Sequence, residues 1–278
     1  MEIRPIRTLA EYRAVEDLQG RVWCLEDAEI VPDHLLVTVN KNGGLLLGAF
    51  EAGPDTEERL VGFVLGFVGL TPDGTVKHCS HMLGVDPDVQ DRGLGYRLKL
   101  AQREYVLEQG LDLVTWTFDP LESRNAYLNF HKLGVSCNTY LRNLYGDMRD
   151  GLSGGLPSDR FQVEWRIASQ RVVERVRGAR GRAARSGPRS AGVPVLNAFS
   201  PEGLPRPPDD VLPMQGERLS IQIPADFQAI RAADIALAGA WRVHSRALFE
   251  GAFAAGYRAV DVLCEGGRSW YVLDREKD

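Results

Sequence analysis

The chain has no apolar run approaching the length of a bilayer span, and its opening residues, Met1-Glu2-Ile3-Arg4, carry no signal-peptide core. No membrane association is expected, and the expected location is cytoplasmic. The four cysteines, Cys24, Cys79, Cys137 and Cys264, are scattered without Cys-x-x-Cys spacing. That excludes a zinc site of this type and points to reduced thiols rather than a disulfide frame. The sequence also lacks a clustered metal-ligand set, a Gly-x-Ser-x-Gly and a Walker loop, so metalloenzyme, serine-hydrolase and P-loop chemistry have no residues to carry them. Neither sign of charge dominates, and a net charge of −5 over 278 residues gives no overall pull toward nucleic acid. What is present is ordinary globular composition, 44% hydrophobic and 26% charged, long enough for one large domain or two modest ones.

Residues 3–6 read as a short strand, and Thr8-Leu9-Ala10-Glu11 is a capping box opening a helix with Leu9, Tyr12, Val15 and Val22 inward. After the acidic stretch Glu26-Asp27-Ala28-Glu29, residues 45–50 and 60–67 read as hairpin strands joined by the turn-rich Gly53-Pro54-Asp55. Residues 78–85 supply the next strand. A helix then places Leu94, Leu98, Ala101 and Tyr105 on one face and stops at Gly110. The β-branched and aromatic residues 113–118 form a strand. A helix over 124–133 and strands near 138–144 and 161–167 complete this part.

The most informative stretch is Val85-Asp86-Pro87-Asp88-Val89-Gln90-Asp91-Arg92-Gly93-Leu94-Gly95-Tyr96-Arg97-Leu98-Lys99. A strand ends, a Gln-x-x-Gly-x-Gly turn follows, and an amphipathic helix opens. Glycines there let the backbone approach a ligand, and the first free N–H groups of the helix, with its dipole, suit a phosphate. A Gly-x-Gly pair alone is weak evidence; the strand before, the helix after and the Gln offset make it specific. The turn resembles the pyrophosphate-binding motif of the GCN5-related N-acetyltransferases (GNAT superfamily), which cradle the diphosphate of acyl-coenzyme A. The element order β-α-β-β-β-α-β-α-β-β agrees with that fold over residues 1–168. The whole chain also resembles larger acetyltransferase-like proteins with an added C-terminal segment. The implied fold class is α/β (α+β): a mixed, mostly antiparallel sheet flanked by helices, with a smaller C-terminal β-α-β-β unit.

The resemblance implies acyl-coenzyme A as cosubstrate, with acetyl-CoA the default and a larger acyl group such as succinyl open, and no tightly bound cofactor or metal. Leu83, Gly84 and Val85 take the role of the strand that offers main-chain groups to the pantetheine arm. Gln90, Asp91, Arg92, Gly93, Leu94 and Gly95 hold the diphosphate, with charge from Arg92, Arg97 or Lys99. A second family signature, an Asn-rich helix start with a Tyr-x-Lys-Leu-Gly ending, corresponds to residues 123–134. Lys132-Leu133-Gly134 and Ala126 match; Ser123 stands where Asn is common, leaving Asn125 to serve the pantetheine. Phe130 occupies the place of the tyrosine that protonates the departing thiolate, so either Tyr127 substitutes or the thiolate leaves unassisted, its pKa of ~8.5 making it a fair leaving group.

For the base, the candidates are His78, His81 and Asp119. Residues three apart on a strand point to opposite faces, so His78 and His81 cannot share one substrate or one metal. The catalytic residues expected are His81, Asp119 and Tyr127, while His78 as easily fills a structural, hydrogen-bonded place. Trp23 and the acidic Glu26-Asp27-Glu29 stretch fall where the family builds its acceptor pocket. The acceptor is a small amine, with an amino acid among the candidates. Direct attack on the thioester is expected because no cysteine occupies a nucleophile position. Two rival readings are a coenzyme-binding module that has lost catalysis and a partner- or nucleic-acid-binding protein.

The second rival rests on seven arginines between Arg171 and Arg189, which lack interleaved aromatics and are followed by the Pro-rich residues 201–213. The more ordinary reading of 169–216 is an exposed connector. Residues 217–278 then form a β-α-β-β unit whose helix carries Ile230, Ala233, Leu237, Trp241, Leu248 and Ala252, with Arg242 on its surface. So small a unit is marginal alone and is expected to pack on the domain of residues 1–168. A homodimer is compatible with all of this.

Overall fold

Residues 45–50 are buried at every position because helices cover both faces of that strand. The computed structural model describes residues 1–23, 29–52, 58–90, 92–146, 155–181, 193–200 and 203–276. It falls into two units, one within Met1–Trp116 and the other holding the described residues from Thr117 onward. In the first unit β1 (Glu2–Pro5), β2 (Leu45–Ala52), β3 (Glu58–Leu70), β4 (Val76–Val85) and β5 (Leu113–Phe118, whose last residues belong to the second unit) lie in chain order. The first four are antiparallel neighbours, and β5 joins β4 in parallel. Helices α1 (Leu9–Trp23) and α2 (Asp33–Lys41) cover one face, where Tyr12, Val15, Leu18 and Leu36 meet Leu46, Phe50, Phe63 and Leu65. Helix α3 (Leu94–Glu108) covers the other, with Leu94 and Leu98 against Leu45, Leu47, Val61 and Val64. Each such side chain, fully buried, contributes about 1.5–3 kcal/mol.

The capping box forms as read. The Glu11 N–H donates to Thr8 Oγ1 (3.3 Å), and Glu11 Oε2 accepts from the N–H groups of Thr8 (2.9 Å) and Arg7 (2.7 Å). Burial alone would raise the Glu11 carboxyl; those N–H groups and the Arg4 guanidinium hold it at about 2. Leu9, read as inward, is instead exposed: it is the first helical residue, and the inward set continues from Tyr12, Val15 and Leu18. Helix α2 was not anticipated. Its β-branched Val37, Thr38 and Val39 disguise a short helix that buries Leu36. The hairpin turn at Gly53-Pro54-Asp55 lies outside the described residues.

In the second unit, α4 (Ser123–Ala126) continues as a π-helical stretch, Tyr127–Leu133, that ends at Gly134 with φ +77°. Short β6 (Tyr140–Leu141) pairs antiparallel with β7 (Arg160–Arg166). Of the stretch read as an exposed connector, residues 170–181 form a helix, α5 (Gln170–Gly181), which buries Val172 and Val176. Arg171 donates to the carbonyl of Gly134 (3.1 Å), and Arg175 pairs with Asp261 (2.6 Å), so these two arginines point inward. A separate sheet follows in the order β8-β10-β9, from β8 (Arg218–Ile223), β9 (Tyr257–Glu265) and β10 (Arg268–Arg275), all antiparallel. The single helix expected between β8 and β9 is two, α6 (Phe227–Ala233) and α7 (Ile235–Ala254). The break is at Asp234, whose extended backbone lets its carboxylate accept from the Leu237 N–H (2.9 Å) and cap α7.

Residues 117–167 share this unit with the C-terminal segment: Cys137 bridges Ala259, and Phe161 packs on Phe249 and Tyr271 with ring centroids 4.7 and 5.4 Å apart. This grouping differs from a division after residue 168. No described helix is long and apolar enough to cross a membrane.

Candidate active site

The Gln-x-x-Gly-x-Gly turn is built as its sequence suggests. Strand β4 ends at Val85, and Asp86 caps a single helical turn, Pro87–Val89, its Oδ1 accepting from the Asp88 N–H at 3.1 Å. Gln90 follows in extended conformation, and its Nε2 reaches back to the carbonyl of Val85 (3.5 Å). Asp91 lies outside the described residues. Gly93 is the N-cap of α3, with φ +71° and no side-chain cap. A Cβ there would meet nothing within 4 Å, so glycine is demanded by the left-handed backbone while the space above it is open. The first intrahelical bond runs from the Arg97 N–H to the Gly93 carbonyl (3.2 Å). The N–H groups of Leu94 and Gly95, the first of the helix, have no acceptor within it. Such a terminus suits an anion.

Charge around the turn is partly as expected. Arg92 is exposed and lies 3.4 Å from Glu51, and Arg97 reaches the Met1 carbonyl (3.2 Å). Lys99 does not serve the turn: it points into the unit and is buried. Strand β4 pairs with β3 from Val76 to Val85 along one edge. Along the other it meets β5 only at His78 with Val114 and Cys79 with Thr115. Leu83, Gly84 and Val85 therefore carry an edge with no β5 partner, as a strand offering main-chain groups to an extended arm must. Gly84 is required by packing, since a Cβ would sit 2.8 Å from the Phe63 ring. Trp23 packs edge-on against Phe63 (5.9 Å) and is half-buried in that core; Glu26 and Asp27 lie outside the described residues, and Glu29 is exposed.

The two histidines part company at a bulge. Leu65 faces Met82 and Gly66 faces Ser80, so His81 is the extra residue of β4. It is exposed, its ring 5.9 Å from Phe67, and desolvation lowers its pKa below the usual histidine value. His78 is fully buried toward α3, and Gly66 makes room for it, since a Cβ there would overlap His78 Nε2. Lys99 donates to Ser80 Oγ (2.7 Å) and Gln102 Oε1 (3.2 Å), and Ser80 also bonds Gln102 Oε1 (3.0 Å). With that oxygen taken, the Gln102 amide N–H donates to His78 Nε2 (3.1 Å), which leaves the imidazole proton on Nδ1. That atom has no partner among the described residues. Lys99 Nζ also lies 3.8 Å from the Trp116 ring centroid. Burial, and secondarily the Lys99 charge, pulls His78 down to about 4, and burial pulls Lys99 down to about 7. A cation–π contact this dry is worth about 2 kcal/mol, and a hydrogen bond to a charged group about 1.5–3 kcal/mol.

In the second unit, Asp119 is not free to handle a substrate amine. Its carboxylate takes both Nη atoms of Arg242, Oδ1 at 2.7 Å, while Oδ1 also accepts from the Leu121 N–H (2.9 Å) and Arg160 lies 3.9 Å from Oδ2. Arg242, read as a surface residue, is buried. Burial would lower its pKa, but Asp119 raises it above the usual arginine value. The fork geometry of an arginine on a carboxylate explains both departures, since a buried charge needs its partner.

Asn125 is exposed on α4, available to a ligand. Tyr127 stacks on His131, centroids 4.6 Å apart at 18°, and desolvation, with Cys264 and Asp261, raises its phenol above its ordinary value. The phenol is thus protonated at neutral pH and able to donate. Phe130 is fully buried between Phe118 (6.2 Å) and Tyr271 (5.4 Å), which explains the departure from the motif: a hydroxyl there would face aromatic core. Sequence reading missed the polar set around Lys99, although His78, Ser80, Lys99 and Gln102 lie at strand and helix spacings that would bring them together. No group of three or more metal-ligating side chains occurs among the described residues.

No family model matches this chain, and no curated protein does. Among solved structures, it is similar to the ribosomal-protein-S18-alanine N-acetyltransferase from Escherichia coli at 18% identity, over 60% of this chain and 94% of that one, with a TM-score of 0.45. It is similar to an acetyltransferase of the GNAT family from Streptococcus pneumoniae at 16% identity, over 59% and 96%, with a TM-score of 0.45. A third is yncA from Salmonella typhimurium, solved with its cofactor acetyl-CoA, at 17% identity over 61% and 95%, with a TM-score of 0.46. Each of the three matches covers about three-fifths of this chain.

Proposed function

We propose that this chain is a cytosolic acyl-coenzyme A-dependent N-acyltransferase acting on a small amine, an amino acid among the candidates, with acetyl-CoA as the default donor. The observation that carries the reading is the turn at Gly93: a left-handed glycine with open space above it, at the mouth of a helix whose first N–H groups lack helical acceptors. The diphosphate is assigned to Gln90–Gly95, and the pantetheine arm to the free edge of Leu83, Gly84 and Val85. Asn125 joins them by resemblance to the family motif. The amine attacks the thioester carbonyl directly, the C–N bond forms as the C–S bond breaks, and the thiolate departs. His81, exposed and neutral at pH 7, is the assigned proton acceptor, and Tyr127 the assigned donor to the thiolate. A succinyl or other larger acyl group uses the same chemistry.

The test is calorimetric titration of coenzyme A into the wild-type chain and Gly93→Val, with thiol release measured over a panel of amines. Valine at this φ costs about 1–2 kcal/mol of backbone strain, so binding is expected to be abolished or to fall by about tenfold or more while the fold persists. Unchanged affinity removes the basis of the reading. A second reading, a coenzyme-binding module without turnover, is favoured by Phe130 alone; it predicts binding without thiol release for every amine.

A further inference from the structure

The Lys99 amino group is buried in the first unit, and no acidic side chain among the described residues pairs with it. Its position is specific. The last residues that join β4 to β5 are Cys79 and Thr115, and the next on each strand are Ser80 and Trp116. Lys99 Nζ touches both, at 2.7 Å from Ser80 Oγ and 3.8 Å from the Trp116 ring. One side chain from α3 therefore stands at the point where the two strands stop pairing. Filling that space requires no charge; an apolar residue of the same length would avoid the cost of burying an ammonium without a counter-ion. A cation retained there is better explained by what it holds.

We propose that Lys99 is a positioning residue for the acyl-coenzyme: by holding Ser80 and Trp116 it sets the opening at the free edge of β4 along which the pantetheine arm lies. The inference rests on the acyl-coenzyme reading above. It requires the ammonium form, because the neutral amine loses its attraction for the indole face and its charge-assisted bond to Ser80. With Lys99 lowered to about 7, the hold weakens as pH rises through the neutral range. The groups that face it are few. From β4, His78 is held neutral, while Lys77 and Cys79 alternate to the opposite face. Strand β5 and residues 60–70 of β3 carry no titratable side chain, and Glu51 of β2 lies against Arg92. Helix α3 itself brings Tyr96 and Arg103 within one turn.

The experiment compares two ligands on the full chain by calorimetry: coenzyme A, and its phosphoadenosine diphosphate head group, which lacks the pantetheine arm. Lys99→Met is expected to weaken coenzyme A by about tenfold and to leave the head group's affinity unchanged. In the wild-type chain the advantage of coenzyme A over the head group should shrink between about pH 6 and about pH 8; in Lys99→Met it should be small and flat. Should Lys99→Met fail to fold, Ser80→Ala carries the test and is expected to lose part of the same advantage. If the variants bind both ligands as the wild type does, Lys99 positions nothing. If the wild-type chain binds the head group and coenzyme A equally, the inference fails while the assignment of the turn stands; if it binds neither, the acyl-coenzyme reading itself fails and takes the inference with it.

Discussion

At the scale of single residues, burial decides which polar groups can act. His78 and Lys99 both have pKa values below their ordinary ones, so each makes stability rise with pH, in an acid window for His78 and an alkaline one for Lys99. Between about 6.5 and about 4 the unfolded chain takes up a proton on His78 that the folded chain refuses, so stability falls as pH falls, by at most about 3 kcal/mol. Above about 7 the folded chain releases the Lys99 proton that the unfolded chain holds to about 10.5, so stability rises with pH across that interval. Thermal unfolding followed against pH should show the acid slope reduced in His78→Gln and the alkaline slope removed in Lys99→Met. Phe130→Tyr, which restores the family's motif, should cost stability by about 1–3 kcal/mol, because its hydroxyl enters an aromatic core. Its turnover per folded molecule should match the wild type. His81→Ala should lower kcat and remove an acidic limb lying below pH ~6.5, since only the neutral imidazole accepts a proton.

At the scale of elements, caps and counter-charges define boundaries that periodicity blurs. Asp234→Ala should lower stability by about 1 kcal/mol, measured by denaturant unfolding, because the Leu237 N–H loses its acceptor. Arg242→Met should cost more, about 3–5 kcal/mol, since it leaves Asp119 without its principal cation; Asp119→Asn in the same background should recover part of that loss. These elements also show what the sequence made legible. Strands and helices with a clean apolar pattern, such as residues 45–50 and the helix carrying Leu94 and Leu98, were readable, as was the turn at Gly93, where a left-handed backbone gives the glycine a local reason. Helix α2 was not, because β-branched residues at its centre mask the period. Neither was the pairing of Asp119 with Arg242, since a contact across 123 positions leaves no local trace. The pair Val172 and Val176 on α5 was a readable signal, hidden by the arginines around it.

At the scale of the whole molecule, the C-terminal segment is part of a core rather than an appendage. Phe249 and Tyr271 pack on Phe161, Tyr271 packs on Phe130, and Arg246 binds the buried Asp159 at 2.8 Å. A chain truncated after residue 168 should therefore lose cooperative unfolding of its second unit, seen as collapse of the near-ultraviolet circular dichroism of its aromatics. The bulge at His81 is a different kind of feature, an added residue that leaves the facing of its neighbours unchanged. Before it, His78 and Ser80 face α3; after it, Leu83 joins Leu94 and Leu98 on that same face. The bulge thus takes up one supernumerary position while the paired residues on either side keep a regular alternation of faces. The imidazole can be replaced at little cost to folding, and the residue itself can be lost: without it Ser80 would still oppose Gly66 and Met82 would oppose Leu65 in unbroken alternation, so every later side chain of the strand would keep its face. This strand should keep its fold both after a substitution at position 81 and after a frame-preserving codon loss there, whereas loss of a paired neighbour such as Met82 should destabilise it.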